Sequence, residues 1–292
     1  MTTIKIEHLN KHFHKQSGLN DINLTFESNQ IYGLLGRNGA GKSTLLNIIT
    51  DRIFANSGQV KLDGAVMHDN GDALSKVFMM SQDNLYQEST KVQNIIKTTA
   101  AVYDGFDQHL ANELIQKFDV NVKTKFGKLS TGYHSIVKLI IALCVPAEVV
   151  IFDEPTLGLD ANHRELFYSE LIQSYSDNPR TFIISTHLID EVANIVSDVA
   201  IIDHGAVIVS GDNESVLKNA HTITGPEREL DQYCAGLNVI GSKHLGNLKT
   251  NYVYGPLNDD QRIPDTVSVE SLDLQTLFIY LTKRKGELEN DE

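Results

Sequence analysis

Residues 36–44 read Gly36-Arg37-Asn38-Gly39-Ala40-Gly41-Lys42-Ser43-Thr44. The apolar run Ile31-Tyr32-Gly33-Leu34-Leu35 precedes them, and Thr44-Leu45-Leu46-Asn47-Ile48-Ile49 predicts a helix immediately after. The stretch matches the phosphate-loop pattern G-x-x-x-x-G-K-S/T in the strand–loop–helix context that the pattern requires. A strand feeding a glycine-rich loop that opens a helix aims several backbone N–H groups, and the helix dipole, at one anion. Glycine is needed where the backbone turns tightly and a phosphate approaches closely. Lys42 is placed to reach the β- and γ-phosphates of a nucleoside triphosphate, and the Ser43 hydroxyl to hold Mg²⁺. An ordinary glycine-rich turn would call for neither the lysine nor the hydroxyl.

The flanking sequence alternates in type. Ile4-Lys5-Ile6, Ile22-Asn23-Leu24-Thr25-Phe26 and Ile31 to Leu35 are short apolar segments broken by polar turns, which predicts strands. Gln59 to Leu62 and Lys76 to Met80 continue that character. Over residues 88–145 the spacing changes: Val92, Ile95, Ile96, then Leu110, Leu114, Ile115 and Phe118 recur at helical intervals. Val149-Val150-Ile151-Phe152 reads as a buried strand. Ala161 to Tyr175 predicts a helix, Thr181 to Ser185 a strand, Leu188 to Val196 a helix and Val199 to Ile202 a strand. Such alternation implies an α/β fold with a parallel sheet covered on both faces. It stops near Gly211. Residues 220–292 are less patterned. They show loop-like stretches at Gly241-Ser242-Lys243 and Pro256-Leu257-Asn258-Asp259, a last helix over Asp273 to Lys283, and a short acidic end.

With 292 residues the chain can bury a substantial core, as one large domain or a domain with an appendage. A formal net charge of -13 argues against a nonspecific binder of nucleic acid or anionic lipid. Cys144 and Cys234 lack metal-ligand spacing. Cys144 sits in an apolar stretch, which predicts a buried free thiol rather than a disulfide framework and fits a reducing cytosol. The N-terminus has no cleavable apolar segment of the secretory kind, and runs such as Leu139 to Val145 are too short to span a bilayer. The expectation is a protein soluble by itself that reaches a membrane only through a partner.

Asp153 and Glu154 follow the strand run at Val149 to Phe152 directly. A carboxylate at the end of a buried strand can sit opposite a phosphate loop and bind Mg²⁺, usually through water; Asp153 takes that role. Glu154 is placed to polarise the water that attacks the γ-phosphate. In isolation a strand ending in acids is often no more than a solvated edge. Beside a phosphate loop it points to nucleotide hydrolysis.

Further marks carry a family resemblance. Leu129-Ser130-Thr131-Gly132-Tyr133 resembles the Leu-Ser-Gly-Gly-Gln signature of ATP-binding cassette (ABC) proteins. Gln82 resembles the Q-loop glutamine, Thr156-Leu157-Gly158-Leu159-Asp160 the D-loop, and His187 the switch histidine after the next strand. Phe13 is placed like the aromatic that stacks on adenine. These marks occur in the family's order, over residues 4–217. The local chemistry agrees. Gln82 offers an amide oxygen to Mg²⁺. His187 can donate to a γ-phosphate. Phe13 presents a planar ring. Out of this context each would read as polar surface, a structural histidine or a core aromatic. His8, His12 and His14 lie nearby, yet no cysteine or carboxylate cluster completes a metal site with them.

The resemblance implies a P-loop NTPase core: a mostly parallel sheet with an antiparallel β subdomain and a helical subdomain. The core would occupy residues 1–219, its helical part about 88–145, with a small α+β appendage over 220–292. It implies ATP and Mg²⁺ as cofactors and ATP hydrolysis with Glu154, His187 and Gln82 as the catalytic set. Gly36 to Thr44 and Phe13 would hold the chain's own nucleotide. Asp160, of the D-loop, would be a further nucleotide-binding residue, and Ser130 and Gly132 would serve a second ABC ATPase, identical or different, facing it head to tail. Thr131 and Tyr133 depart from the signature, and Thr131 adds a Cβ where backbone must fit closely.

The leading expectation is the ATPase subunit of an exporter, resembling those of Gram-positive drug and antimicrobial-peptide systems. Its permease would be a separate transmembrane chain, its place the cytoplasmic face of the membrane, and nucleic acid not a partner. Two alternatives are a soluble ABC ATPase of DNA repair, chromosome organisation or translation, and a nucleotide-gated regulatory module with weak hydrolysis. The segment between Gln82 and Leu129 is too short for the coiled coil of repair and chromosome types, and the chain has one phosphate loop where translation types usually have two. The altered signature is the support for the regulatory module.

Overall fold

The computed structural model describes residues 2–13, 16–258 and 261–283. His14, Asp259 and the acidic C-terminal end lie outside the described residues. In chain order, β1 (Ile4–Phe13) and β2 (Gln16–Phe26) pair, β3 (Ile31–Leu35) leads into α1 (Lys42–Ile49), and β4 (Ser57–Leu62) and β5 (Ala65–Val66) follow. Next come α2 (Gly71–Leu74), β6 (Val77–Met80), and three helices, α3 (Val92–Val102), α4 (Gln108–Lys117) and α5 (Thr131–Cys144). Then β7 (Val149–Asp153), α6 (Ala161–Asp177), β8 (Thr181–Thr186), α7 (Ile189–Val192), β9 (Asp198–Asp203), β10 (Ala206–Asp212) and α8 (Asn213–Lys218) complete the alternating region. The remainder holds β11 (Ala220–Pro226), α9 (Glu227–Tyr233), β12 (Val239–Leu245), β13 (Leu248–Tyr254), β14 (Ser268–Ser271) and α10 (Leu274–Thr282).

The central sheet runs β10-β9-β3-β8-β7-β6. It is parallel except for the β9–β10 hairpin. Successive side chains of a strand point to opposite faces, and both faces here are apolar. Leu35, Val150, Phe152, Phe182, Ile184 and Ile201 face a core shared with α3 to α7. Leu34, Ile151, Ile183, Ala200 and Ile202 face a second core formed with α1 and the antiparallel sheet β2-β1-β4-β5. A third sheet, β12-β13-β11-β14, is antiparallel and has its own small core around Ile223, Leu230 and Val253.

The predicted strands are present, and α10 spans the predicted last helix with Asp273 as its N-cap and Lys283 as its C-cap. Leu274, Leu277 and Phe278 of α10 join the same core as Ile189 and Val192 of α7, so its apolar face packs within the chain. Two expectations fail. The helix expected over Leu188 to Val196 is cut to one turn. The Asn213 amide takes the carbonyls of Ala193 and Val196 at 3.1 and 3.4 Å, and Ser197 N–H goes to Ile31 at 2.9 Å, which draws the chain into β9. Gly241-Ser242-Lys243, expected as loop, lies inside β12. Glycine there admits the ring of Tyr280, with which any Cβ would collide, and Tyr280 stacks on Tyr252 with ring centroids 4.0 Å apart. Cys144 and Cys234 are buried free thiols, and burial pushes both thiol pKa values up.

Candidate active site

The site forms at the C-terminal ends of the parallel strands, where open α/β sheets place their ligand crevices. β3 ends at Leu35, and the loop turns through positive-φ glycines: Gly39 at +83° and Gly41 at +112°. Gly41 is the N-cap of α1, and a Cβ on it would lie 2.8 Å from Leu19 Cδ2 and 3.0 Å from Gly18 O. The loop is braced from behind. Gly205, in the β9–β10 turn, donates to Ala40 O at 2.9 Å and accepts from Asn20 N–H at 2.8 Å.

Lys42 Nζ donates to Gly36 O at 2.6 Å and lies 3.3 Å from Glu154 Oε1. Both side chains are nearly enclosed, at 5% and 8% exposure. Asp153 closes β7, is buried, and accepts from Ser185 Oγ at 3.0 Å and from the Ser43 hydroxyl. Burial raises its pKa above the ordinary carboxylate value, against the opposing pull of those two hydroxyls. Glu154 has φ +50°, the left-handed region that costs a non-glycine residue roughly 1–2 kcal/mol. Its N–H donates to Ser185 O at 2.9 Å, which helps hold that turn. Its Oε2 meets His187 Nδ1 at 2.9 Å and accepts from Thr186 Oγ1 at 3.4 Å. Its Oε1 is buried without a hydrogen-bond partner and faces Lys42.

One cavity of about 630 Å³ is lined by Phe13, Arg37 to Thr44, Gln82 and Glu154, together with Gly18, His204 and Gly205. The Phe13 ring is 46% exposed and lies under Lys11 Nζ, 5.1 Å from its centroid. His187 joins the site through Glu154 and lines an adjoining cavity of about 470 Å³ with Arg37 to Ala40, Phe278 and Thr282. Asp153 lies beneath the first cavity, tied to it through Ser43.

Ser130, Gly132 and Asp160 are not among the residues lining either cavity. Ser130 caps the N-terminus of α5, accepting from Tyr133 N–H at 3.3 Å. Asp160 caps α6, accepting from the His163 backbone at 2.9 Å with His163 Nδ1 at 2.8 Å, and these bonds hold its carboxyl below the usual range. The two motifs touch each other. A Cβ on Gly132 would lie 2.6 Å from Gly158 O, and Ser135 Oγ donates to Leu157 O at 3.3 Å. Thr131 is exposed and packs its methyl toward Gly158. Tyr133 meets the His163 ring edge-on.

Several contributors have no sequence signal of their own. Ser185 and Thr186 reach the carboxylates from the neighbouring strand. Glu191 accepts from Thr156 Oγ1 at 2.9 Å, Tyr168 OH at 3.2 Å, and Arg164, tying α7 to the loop after Glu154. Gly205, in the β9–β10 turn, braces a loop 165 residues earlier through Ala40.

This geometry suits a phosphate chain and a hard cation. The loop is a backbone cradle, with one buried ammonium and one orphaned carboxylate oxygen at its base. Ser43 and Gln82 line this cavity with Asp153 behind Ser43, and all three carry oxygen donors, the kind that suits Mg²⁺. Residues 19–157 match the family profile described as ABC transporter. That segment carries the ABC transporter domain. The cassette is 26% identical over 204 residues to the ABC transporter ATP-binding protein YtrB of Bacillus subtilis, covering 70% of each chain. It is 28% identical over 209 residues to the lantibiotic transport ATP-binding protein SrtF of Streptococcus pyogenes, covering 70% of this chain and 89% of that one. Its fold matches a solved ATP-binding subunit of an ABC transporter with TM-score 0.67 at 18% identity, covering 74% of this chain and 92% of the other. The cassette therefore binds ATP, and ATP hydrolysis is the general activity of its family. No helix among the described residues is long and apolar enough to cross a membrane. ATP-binding subunits of this family generally dimerise and work with membrane subunits.

Proposed function

We propose that this chain powers export of a drug, antibiotic or peptide through a separate transmembrane permease. In this reading it works on the cytoplasmic face of the membrane, closing head to tail on a second cassette, identical or sister. Residues 1–219 would form the ATPase domain and 220–292 an accessory domain. Support for a peptide-like cargo comes from the lantibiotic transport relative.

The observation that carries the catalytic reading is the chain Lys42–Glu154–His187, with Lys42 and Glu154 buried and His187 half-buried. A triphosphate in the loop would compete for Lys42 and His187, both donors to anions. Glu154, freed of Lys42 and His187, would then face the attacking water as general base. Lys42 and the loop amides would neutralise charge that develops on the γ-phosphate. Phe13 would stack on the base. Ser43, Asp153 and Gln82 would hold Mg²⁺, which supplies charge neutralisation across the phosphates. Ser130 and Gly132, at the exposed N-terminus of α5, and Asp160 would act on the nucleotide of the facing cassette.

The test is co-expression with a candidate membrane subunit, followed by co-purification and ATP-driven peptide efflux from vesicles. A stable complex whose efflux stops in Glu154→Gln supports the reading. Absence of any complex, with ATP turnover stimulated by nucleic acid instead, would overturn it.

A further inference from the structure

Lys138 sits in the middle of α5 and is 8% exposed, an uncommon burial for lysine. Its ammonium donates to two consecutive backbone carbonyls, Ser81 O and Gln82 O, both at 2.9 Å. Those residues follow β6 directly, where the chain leaves the sheet, and Gln82 lines the phosphate-loop cavity. Burial pushes the lysine pKa down, and the nearby Asp83 carboxylate opposes that shift. Enclosing an ammonium costs stability, and methionine of similar length would fill the space without that cost but would leave the two carbonyls unpaired. The charge is therefore no simple gain in stability. It does fix a backbone segment beside the active site from a helix whose N-terminus carries Ser130 and Gly132.

We propose that Lys138 is a positioning residue: it clamps the Ser81–Gln82 backbone so that the Gln82 amide stays aimed at the phosphate loop, and it makes α5 and this segment move as one body. The clamp needs no contact between Lys138 and nucleotide. It rests on the reading of Gln82 as a ligand on the Mg²⁺ side of the site.

Lys138→Met separates this role from a structural one. The variant removes a buried charge but leaves the Ser81 and Gln82 carbonyls without their donor, two opposing effects, so it should melt within a few degrees of the wild type. Amide exchange at residues 81–84 should quicken about ten-fold, the loss of charge-assisted bonds. The Mg²⁺ concentration giving half-maximal ATP turnover should rise by about ten-fold, as for other residues that orient a metal ligand. ATP affinity measured in EDTA should stay within about two-fold, since the phosphate loop is untouched. Unchanged exchange at 81–84 would refute the clamp. Faster exchange with an unmoved Mg²⁺ requirement would refute the positioning role. Gln82→Ala is the control on the underlying reading: if it leaves the Mg²⁺ requirement unmoved, the role of Gln82 fails rather than the clamp.

Discussion

The Arg37 guanidinium donates to the backbone carbonyl of Thr282 at 3.3 Å, so a residue of the phosphate loop caps the final turn of α10. The C-terminal region thereby reaches the nucleotide site of its own chain. Phe278 and Thr282 share a cavity wall with His187 and the loop.

Phe278→Ala tests that link. Removing this buried ring should cost about 3–5 kcal/mol. Hydrogen exchange should quicken not only over 274–282 but also at residues 36–41, because the Thr282 carbonyl that Arg37 bonds moves with the loosened helix. An unperturbed loop would mean that the cap is incidental.

Glu154→Gln should lower ATP turnover by at least about 100-fold, the usual contribution of a positioned base. Nucleotide affinity should hold or increase, because Lys42 loses the carboxylate it faces at 3.3 Å. Single-turnover rates and equilibrium binding separate these two effects.

Asp153→Asn should stabilise the fold while abolishing Mg²⁺-dependent turnover. The carboxyl pKa is raised in the folded chain. Between its ordinary value and the raised one, the native state holds a proton that the unfolded state has released. Stability therefore falls as pH rises through that window and stays lower above it. Asparagine removes this penalty and keeps an acceptor for Ser43 and Ser185. The expected gain at neutral pH is about 2–4 °C in melting temperature. It should vanish below the ordinary carboxylate pKa, which thermal melts across pH can follow.

Gly132→Ala should disable turnover without weakening nucleotide binding by the chain's own loop. The new Cβ would sit 2.6 Å from Gly158 O, a backbone atom that cannot step aside cheaply. The signature and the segment 156–160 would be forced apart. Binding titrations beside turnover measurements check the split.

Much of this protein was legible in its sequence because the relevant physics is local. A strand, a glycine-rich turn and a helix start within a few residues fix the phosphate loop. Apolar runs that end at Asp153 and shortly before His187 point to the strands that carry these two side chains. The same locality explains the failures. The helix after Leu188 was cut short by Asn213, and the strand through Gly241 depends on Tyr280. Neither partner is near in sequence.

The sequence by itself determined the α/β core and picked out a phosphate-loop pattern within it. Tertiary structure alone decided how those residues hold one another: Lys42 against Glu154, Glu154 against His187, Lys138 beneath Gln82, and Arg37 on the end of α10. Each of these contacts joins side chains or carbonyls from different elements. Their existence depends on the register of β3, β7 and β8 and on where the helices lie across the sheet, which no local pattern encodes.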